Sequence, residues 1–150
     1  MRNISRICNF LPEDATKTLV QSLVTSRLDY ANALLYGLPS TTVGRLQRVQ
    51  NTAARIIKRV PRTVHITPIL KELHWLPLEQ CIEYKVLLHT FKALHGLSPV
   101  YISSLIQPYR PRKSLRSEIT NLLSVTKTKT VRFGDRSFRK SSAVLWNCHH

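Results

Sequence analysis

The stretch Leu46-Gln-Arg-Val-Gln-Asn-Thr-Ala-Ala-Arg-Ile-Ile57 decides the fold, because it separates into two faces when it is wound as a helix. At about 100° per residue, apolar side chains gather on one side and basic side chains on the other. The apolar set, with one residue from the preceding turn, is Val43, Leu46, Val49, Ala53, Ile56 and Ile57. The basic set, which extends to either side, is Arg45, Arg48, Arg55, Lys58 and Arg59. The pattern predicts an amphipathic helix with a positively charged outer face.

Charge along the chain indicates a polyanionic partner. No acidic residue lies between Asp29 and Glu72, so we expect the basic face to be uncompensated, and the whole chain of 150 residues carries a net charge of +15. An excess of this size destabilises a compact fold by self-repulsion, which an anionic partner relieves. Nucleic acid is the first candidate. An acidic membrane surface is a second candidate, which the lack of any apolar run near 20 residues disfavours. The simplest alternative is that the basic face binds no partner and is merely exposed to solvent.

Composition and spacing predict an all-α fold, a small multi-helix bundle. Apolar residues make up 43% of the chain and there are four glycines, which disfavours turn-rich β-sandwiches and barrels. Pro, Gly and helical spacing predict helices near 2–11, 13–35, 40–59, 67–74, 78–95, 98–106 and 137–146. A hydroxyl at residues 40–42 is expected to cap the third helix, and Thr67-Pro68 is expected to open the fourth. The Thr/Val-rich segment 122–136 is either a short β-hairpin or an irregular basic tail.

The same pattern predicts three regions: a helical bundle over 1–60, a helical extension over 61–107, and a basic, partly irregular tail over 108–150. The helix at 78–95 is apolar almost all around and is expected to be the most buried. We expect four aromatic side chains to belong to the core, although exposed ones would serve as stacking platforms for bases. They are Trp75, Tyr84, Phe91 and Tyr101.

Catalytic and metal-binding patterns are lacking. Glu13 and Asp14 suit the positive end of a helix, and the other acidic residues form no cluster of the kind that two-metal chemistry needs. There is no glycine-rich phosphate loop or nucleophile elbow, and the six histidines lack ligand spacing. The three cysteines are far apart, which predicts a nuclear or cytoplasmic protein rather than a secreted one. We therefore expect no catalytic residue, cofactor or resident metal.

A second basic cluster strengthens the nucleic-acid hypothesis. Ten Lys or Arg residues lie between 108 and 140, against two acidic ones. Basic side chains spaced in this way suit phosphate contacts, which give affinity with little sequence preference. The predicted nucleic-acid-binding residues are Arg45, Arg48, Arg55, Lys58, Arg59, Arg62, Arg110, Arg112, Lys113 and Arg116.

Many collinear phrases resemble one family across nearly the whole chain. In the first half they are Glu13-Asp-Ala-Thr-Lys-Thr-Leu, Ser26-Arg-Leu-Asp-Tyr, Asn32-Ala-Leu-Leu-Tyr-Gly-Leu-Pro39 and Leu46-Gln-Arg-Val-Gln-Asn-Thr-Ala-Ala-Arg55. Further on they are His65-Ile-Thr-Pro-Ile-Leu, Leu73-His-Trp-Leu-Pro77, Phe91-Lys-Ala-Leu-His-Gly96, Leu115-Arg-Ser117, Phe133-Gly-Asp-Arg136 and Leu145-Trp-Asn147. Together they resemble the region downstream of the polymerase palm in the polyprotein of LINE-type (non-LTR) retrotransposons.

The resemblance implies a piece of a reverse transcriptase that lacks both the palm and the endonuclease. Its first three helices would correspond to the thumb, which lies along the template–primer duplex, so a duplex contact is carried onto Arg45, Arg48 and Arg55. The implied partners are an RNA or RNA–DNA duplex and the palm–fingers portion of the polyprotein, with no membrane. The alternative is a structural remnant whose basic surface packs on the absent palm. Ala31 stands where the family has Cys, and both ends differ from the family pattern, as in a truncated copy.

Overall fold

The computed structural model describes residues 2–110, 122–130 and 133–149, and it confirms the all-α prediction. The helices are α1 Arg2–Cys8, α2 Glu13–Val20, α3 Ser26–Asp29, α4 Ser40–Lys58, α5 Ile66–Glu72, α6 Leu78–Leu94, α7 Val100–Ser103 and α8 Phe138–Cys148. A π-helical turn at Gln21–Thr25 joins α2 to α3, and a 3-10 turn covers Asn32–Leu35. In these ranges no helix combines the length and the apolar character needed to cross a membrane.

The second predicted helix ends earlier than its apolar spacing indicates. The helical run from α2 through α3 ends at Asp29, and Tyr30 is already extended, with φ −63° and ψ 118°. Ala31 then takes a left-handed conformation with φ 52°, which an α-helix cannot include. The buried Asn32 donates from Nδ2 to Asp29 Oδ1 at 3.2 Å and closes this corner. The prediction that the helix continues through Leu35 was therefore wrong.

Helix starts also differ from the predictions. None of the three hydroxyl side chains at 40–42 caps α4; the N-cap is Pro39, whose carbonyl accepts from the Thr42 amide at 2.9 Å. In α5 the N-cap is His65, whose Nδ1 accepts from the Thr67 amide at 3.4 Å. Both expected hydroxyl caps were thus wrong, because the extended residue lies one or two places earlier.

Contacts divide the chain into two compact units, Met1–Asn32 with Leu38–Cys81, and Ala33–Gly37 with Ile82–His150. The core of the first unit consists of Val20, Val24, Ala53, Ala54, Ile57, Ile69, Leu70 and Leu73. The core of the second unit is built around Ala93, Ile106, Leu123 and Ala143. The divisions predicted at residues 60 and 107 each fall inside one of these units.

Helix α6 is buried along one side only. Its buried residues recur almost every fourth position, at Leu78, Ile82, Val86, Thr90 and Ala93. Apolar residues lie almost all around this helix, but its buried positions are confined to one side. The prediction that its aromatic residues belong to the core was wrong, because the exposed fractions are 54% for Tyr84 and 45% for Phe91. Tyr101, in α7, is 71% exposed, and only Trp75 packs against a core as expected.

Three long-range contacts organise the second unit. Residues 122–124 are extended and pair with 107–109 through an isolated antiparallel bridge between Pro108 and Leu123, and no strand occurs in the described part of this segment. Asn147 of α8 holds this segment by two hydrogen bonds to the Leu123 backbone.

Arg136 donates from Nε to the Tyr36 carbonyl at 3.1 Å and from a terminal nitrogen to the Leu34 carbonyl. The turn at 33–37 is thereby fastened to a residue about 100 positions later.

Candidate nucleic-acid interface

A groove of about 960 Å³ lies in the first unit, along α1, α4 and the segment that follows α4. Five arginines line it: Arg6, Arg48, Arg55, Arg59 and Arg62. The remaining lining residues are Ser5, Asn9, Asn51, Thr52, Ile56 and Val60. None of the eleven is acidic. The groove is therefore a concentrated positive site whose walls also offer neutral hydrogen-bonding groups.

Helix α4 supplies five of the eleven lining residues because of its spacing. Arg48, Thr52 and Arg55 follow one another at intervals of four and three residues, which places them on one face, and Arg59 follows as the left-handed residue at the end of the helix. The opposite face carries residues of the first core, among them Ile57. Burial of that apolar face fixes the rotation of the helix. The basic face is therefore turned toward the groove and forms one of its walls, which we call the basic wall.

Two of the arginines are tied to the backbone of neighbouring segments. A terminal nitrogen of Arg59 donates to the carbonyls of Cys8 and Leu11, at the end of α1. A terminal nitrogen of Arg55 donates to the Val64 carbonyl at 3.1 Å, while its buried Nε has no hydrogen-bond partner among the described residues. These bonds hold the walls of the groove and leave part of each guanidinium group unused.

The other three arginines are freer. Among the described residues, the Arg48 side chain bonds only within its own helix, from Nε to the Gly44 carbonyl at 3.3 Å. Arg6 and Arg62 are exposed, and neither makes a hydrogen bond or ion pair to another residue in the described part of the chain. Their long side chains can reach an anion in the groove without breaking an existing contact.

Lys58 does not fit the prediction that the basic face is uncompensated. Its Nζ lies 2.6 Å from carboxylate oxygens of both Glu13 and Glu72. The hydrogen bonds to these two carboxylates raise the pKa of Lys58, and the Lys58 ammonium in turn lowers the pKa of Glu13. The prediction that no carboxylate compensates this face was therefore wrong at Lys58, because its partners come from helices distant in the sequence.

The structure brings together four of the predicted residues, Arg48, Arg55, Arg59 and Arg62, and adds a fifth arginine that the sequence prediction missed, Arg6. The sequence signal for Arg6 was the polar set Ser5, Arg6 and Asn9, on α1 and directly after it, but only the tertiary fold places Arg6 beside α4. Arg45 is exposed and does not line the groove, and Arg110 is exposed in the second unit. The predicted residues Arg112, Lys113 and Arg116 lie outside the described residues.

Two buried or half-buried amides lie behind the basic wall. Gln47 Oε1 accepts from the backbone N–H of Leu78, the first residue of α6, at 2.7 Å. Gln47 Nε2 donates to Gln50 Oε1 at 2.8 Å and to Asn51 Oδ1 at 2.7 Å. Gln50 Nε2 then donates to the Leu76 carbonyl at 2.9 Å. This amide chain joins the phrase that begins at Leu46 to the turn before α6.

In the residues that the structure describes, no three His, Cys, Asp or Glu side chains are grouped so that they could hold a metal ion. No protein-family model matches the chain, and neither does any curated protein or solved structure.

Proposed function

We propose that this chain is a non-catalytic, thumb-like part of a non-LTR retrotransposon reverse transcriptase, and that its arginine groove binds the sugar–phosphate backbone of an RNA–DNA or RNA duplex. The observation that carries the proposal is a groove whose lining, among the described residues, includes five arginines and no carboxylate. The family resemblance supports it independently, because the phrase from Leu46 to Arg55 supplies four of the lining residues, Arg48, Asn51, Thr52 and Arg55.

The geometry of α4 suits a nucleic-acid backbone. With a rise of about 1.5 Å per residue, Arg48 and Arg55 are about 10 Å apart along the helix. Phosphates recur at about 3.4 Å of rise per strand, so these two side chains correspond to phosphates about three nucleotides apart. Guanidinium groups bind phosphate oxygens bidentately. Contacts of this kind give affinity and position and carry no sequence information.

Electrostatics favour binding over an empty groove. Five guanidinium groups in one groove repel one another, and Arg55 Nε is buried without a partner in the described chain. A phosphate relieves both costs, since it supplies negative charge and accepts hydrogen bonds. In this proposal the polymerase reaction is carried out by the palm, which the resemblance places in another part of the polyprotein.

A charge-matched pair of variants tests the proposal. Arg6, Arg48 and Arg62 are replaced together by Gln, since their side chains hold no neighbouring segment in the part of the chain that the structure describes. The control replaces Arg27, Lys71 and Lys92, which are exposed and lie outside the groove.

Binding to a labelled RNA–DNA hybrid is measured between about 50 and 200 mM salt. We expect the groove variant to lower the affinity and to reduce the slope of log K against log salt by up to about 2.7, at about 0.9 per lost phosphate contact. The control, with the same net charge, should keep most of the affinity and slope. Equal losses in the two variants would show a diffuse charge effect and overturn the groove as the interface.

One observation favours the alternative function, a surface that packs on protein. Ile7 and Phe10, next to the groove at the end of α1, are 54% and 90% exposed. Exposed apolar groups beside a basic groove are typical of a protein interface. A mixing experiment separates the two functions. If a purified palm–fingers fragment binds this chain and blocks the hybrid, the groove is a protein interface; if both bind together, the groove serves nucleic acid.

A further inference from the structure

The amide chain behind the groove fixes which atoms of Asn51 are available to a ligand. The nitrogen and oxygen of an amide side chain are assigned from their hydrogen-bond partners. Here the backbone N–H of Leu78 removes the ambiguity, because it can only donate, so the atom of Gln47 that faces it must be the oxygen. The other atom of Gln47 is then the nitrogen, which donates to Gln50 and Asn51.

These hydrogen bonds occupy the amide oxygen of Asn51 and leave its amide nitrogen available to a ligand. Its oxygen is engaged by Gln47 Nε2 at 2.7 Å, so its Nδ2 hydrogens are directed away from Gln47 and donate to no other described residue. Asn51 lines the groove between Arg48 and Arg55. The hydroxyl of the neighbouring Thr52 has no proton left for a ligand, because it donates that proton to the Arg48 carbonyl at 2.8 Å. Asn51 therefore offers a donor, and Thr52 offers only acceptor lone pairs.

We infer that Asn51 binds a phosphate oxygen of the nucleic-acid backbone, and that Gln47 is a positioning residue that holds its donor edge toward the groove. The inference rests on the proposed function. A phosphate oxygen only accepts hydrogen bonds, so the reversed amide would present its oxygen and repel the ligand. Gln47 prevents that reversal, since turning Asn51 over would bring two amide NH₂ groups together. The anchor of the arrangement is the Leu78 amide at the start of α6.

An uncharged donor has a signature that separates it from the arginines. A neutral side chain that contacts phosphate releases no counterion, so its loss lowers affinity without changing the salt slope. For Asn51→Ala we expect about a tenfold loss of affinity for the RNA–DNA hybrid at every salt concentration, with the slope unchanged. Gln80→Ala is the matched control, because Gln80 is a neutral amide that is exposed on α6 and lies outside the groove, so its affinity should stay at the wild-type value.

The role of Gln47 is tested by a double-mutant cycle. Gln47→Met keeps the length of the side chain and removes the donor that orients Asn51. We expect Gln47→Met to weaken binding severalfold in the wild-type background and to have no further effect in the Asn51→Ala background. Circular dichroism checks that each variant is folded.

Each outcome decides one of the two proposals. If the wild-type chain ignores the hybrid, the proposed function fails and this inference with it. If the wild type binds and the three-arginine variant loses the salt slope, while Asn51→Ala binds as tightly as Gln80→Ala, the inference alone is wrong. Equal effects of Gln47→Met in both backgrounds would remove Gln47 as the positioning residue.

Discussion

Asn147 offers a sharp test of the packing of the second unit. Its side-chain oxygen accepts from the Leu123 amide at 2.8 Å, and its nitrogen donates to the Leu123 carbonyl at 2.9 Å. Leu123 is 3% exposed, so water cannot replace these bonds in the folded chain. Asn147→Ala removes both bonds, which together contribute about 2 kcal/mol. Two unpaired backbone groups add about 1 kcal/mol, and the higher helix propensity of Ala returns about 0.5 kcal/mol.

We therefore expect Asn147→Ala to lower the free energy of unfolding by about 2.5 kcal/mol, measured by urea denaturation. Asn147→Asp is the comparison. It keeps the acceptor for the Leu123 amide and sets a carboxylate oxygen against the Leu123 carbonyl. The folded state then favours the protonated carboxyl, which raises its pKa, so the variant should gain stability as the pH falls. A loss below about 0.5 kcal/mol for Asn147→Ala, or no pH response of Asn147→Asp, would refute the reasoning.

Further predictions concern two glycines and one ion pair. Gly37 has φ +70°, and a Cβ there would lie 2.8 Å from Arg136 Cγ, so Gly37→Ala should destabilise the chain by about 1–2 kcal/mol. Gly44 is helical and a Cβ there meets nothing within 4 Å, so Gly44→Ala should stabilise it by about 0.5–1 kcal/mol in the same urea assay. Lys58→Met should raise the pKa of Glu13 toward its ordinary value in an NMR titration. Because the Glu13 pKa is lowered in the folded state, its contribution to stability is lost below about pH 4, and the variant should lack that acid-dependent loss.

Local periodicity predicted the helices well where each helix packs through one face. The apolar and basic faces of α4 and the span of α6 follow from spacing, because side chains at intervals of three and four residues share a face. Spacing failed at the end of α3. The apolar pattern continues through Leu34 and Leu35, but Ala31 adopts φ 52° and Leu34 is exposed. A break made by backbone conformation leaves no mark in a hydrophobic pattern.

The candidate site was only partly predictable, since it depends on which helices become neighbours. Arg48 and Arg55 could be placed on one wall because they share α4, and Arg59 because it directly follows that helix. Arg6 and the carboxylates that bind Lys58 could not, because they come from other helices. Gln50 could be recognised as unusual from the sequence, because it is a polar residue on the apolar, buried face of α4. Its partner, the Leu76 carbonyl 26 positions away, appears only in the fold.

The bonds from Arg136 to the turn at 33–37 have a consequence for the order in which the chain is completed. The turn emerges from the ribosome 100 residues before the side chain that fastens it. At synthesis rates of about 5–20 residues per second, the turn waits about 5–20 s without its anchor. Once Cys81 has been made, before that interval is half over, the first unit has all of its own residues, whereas the second is missing most of its length. Nascent chains stalled before Arg136 should accordingly be cut by proteases at this turn and protected there once synthesis passes it.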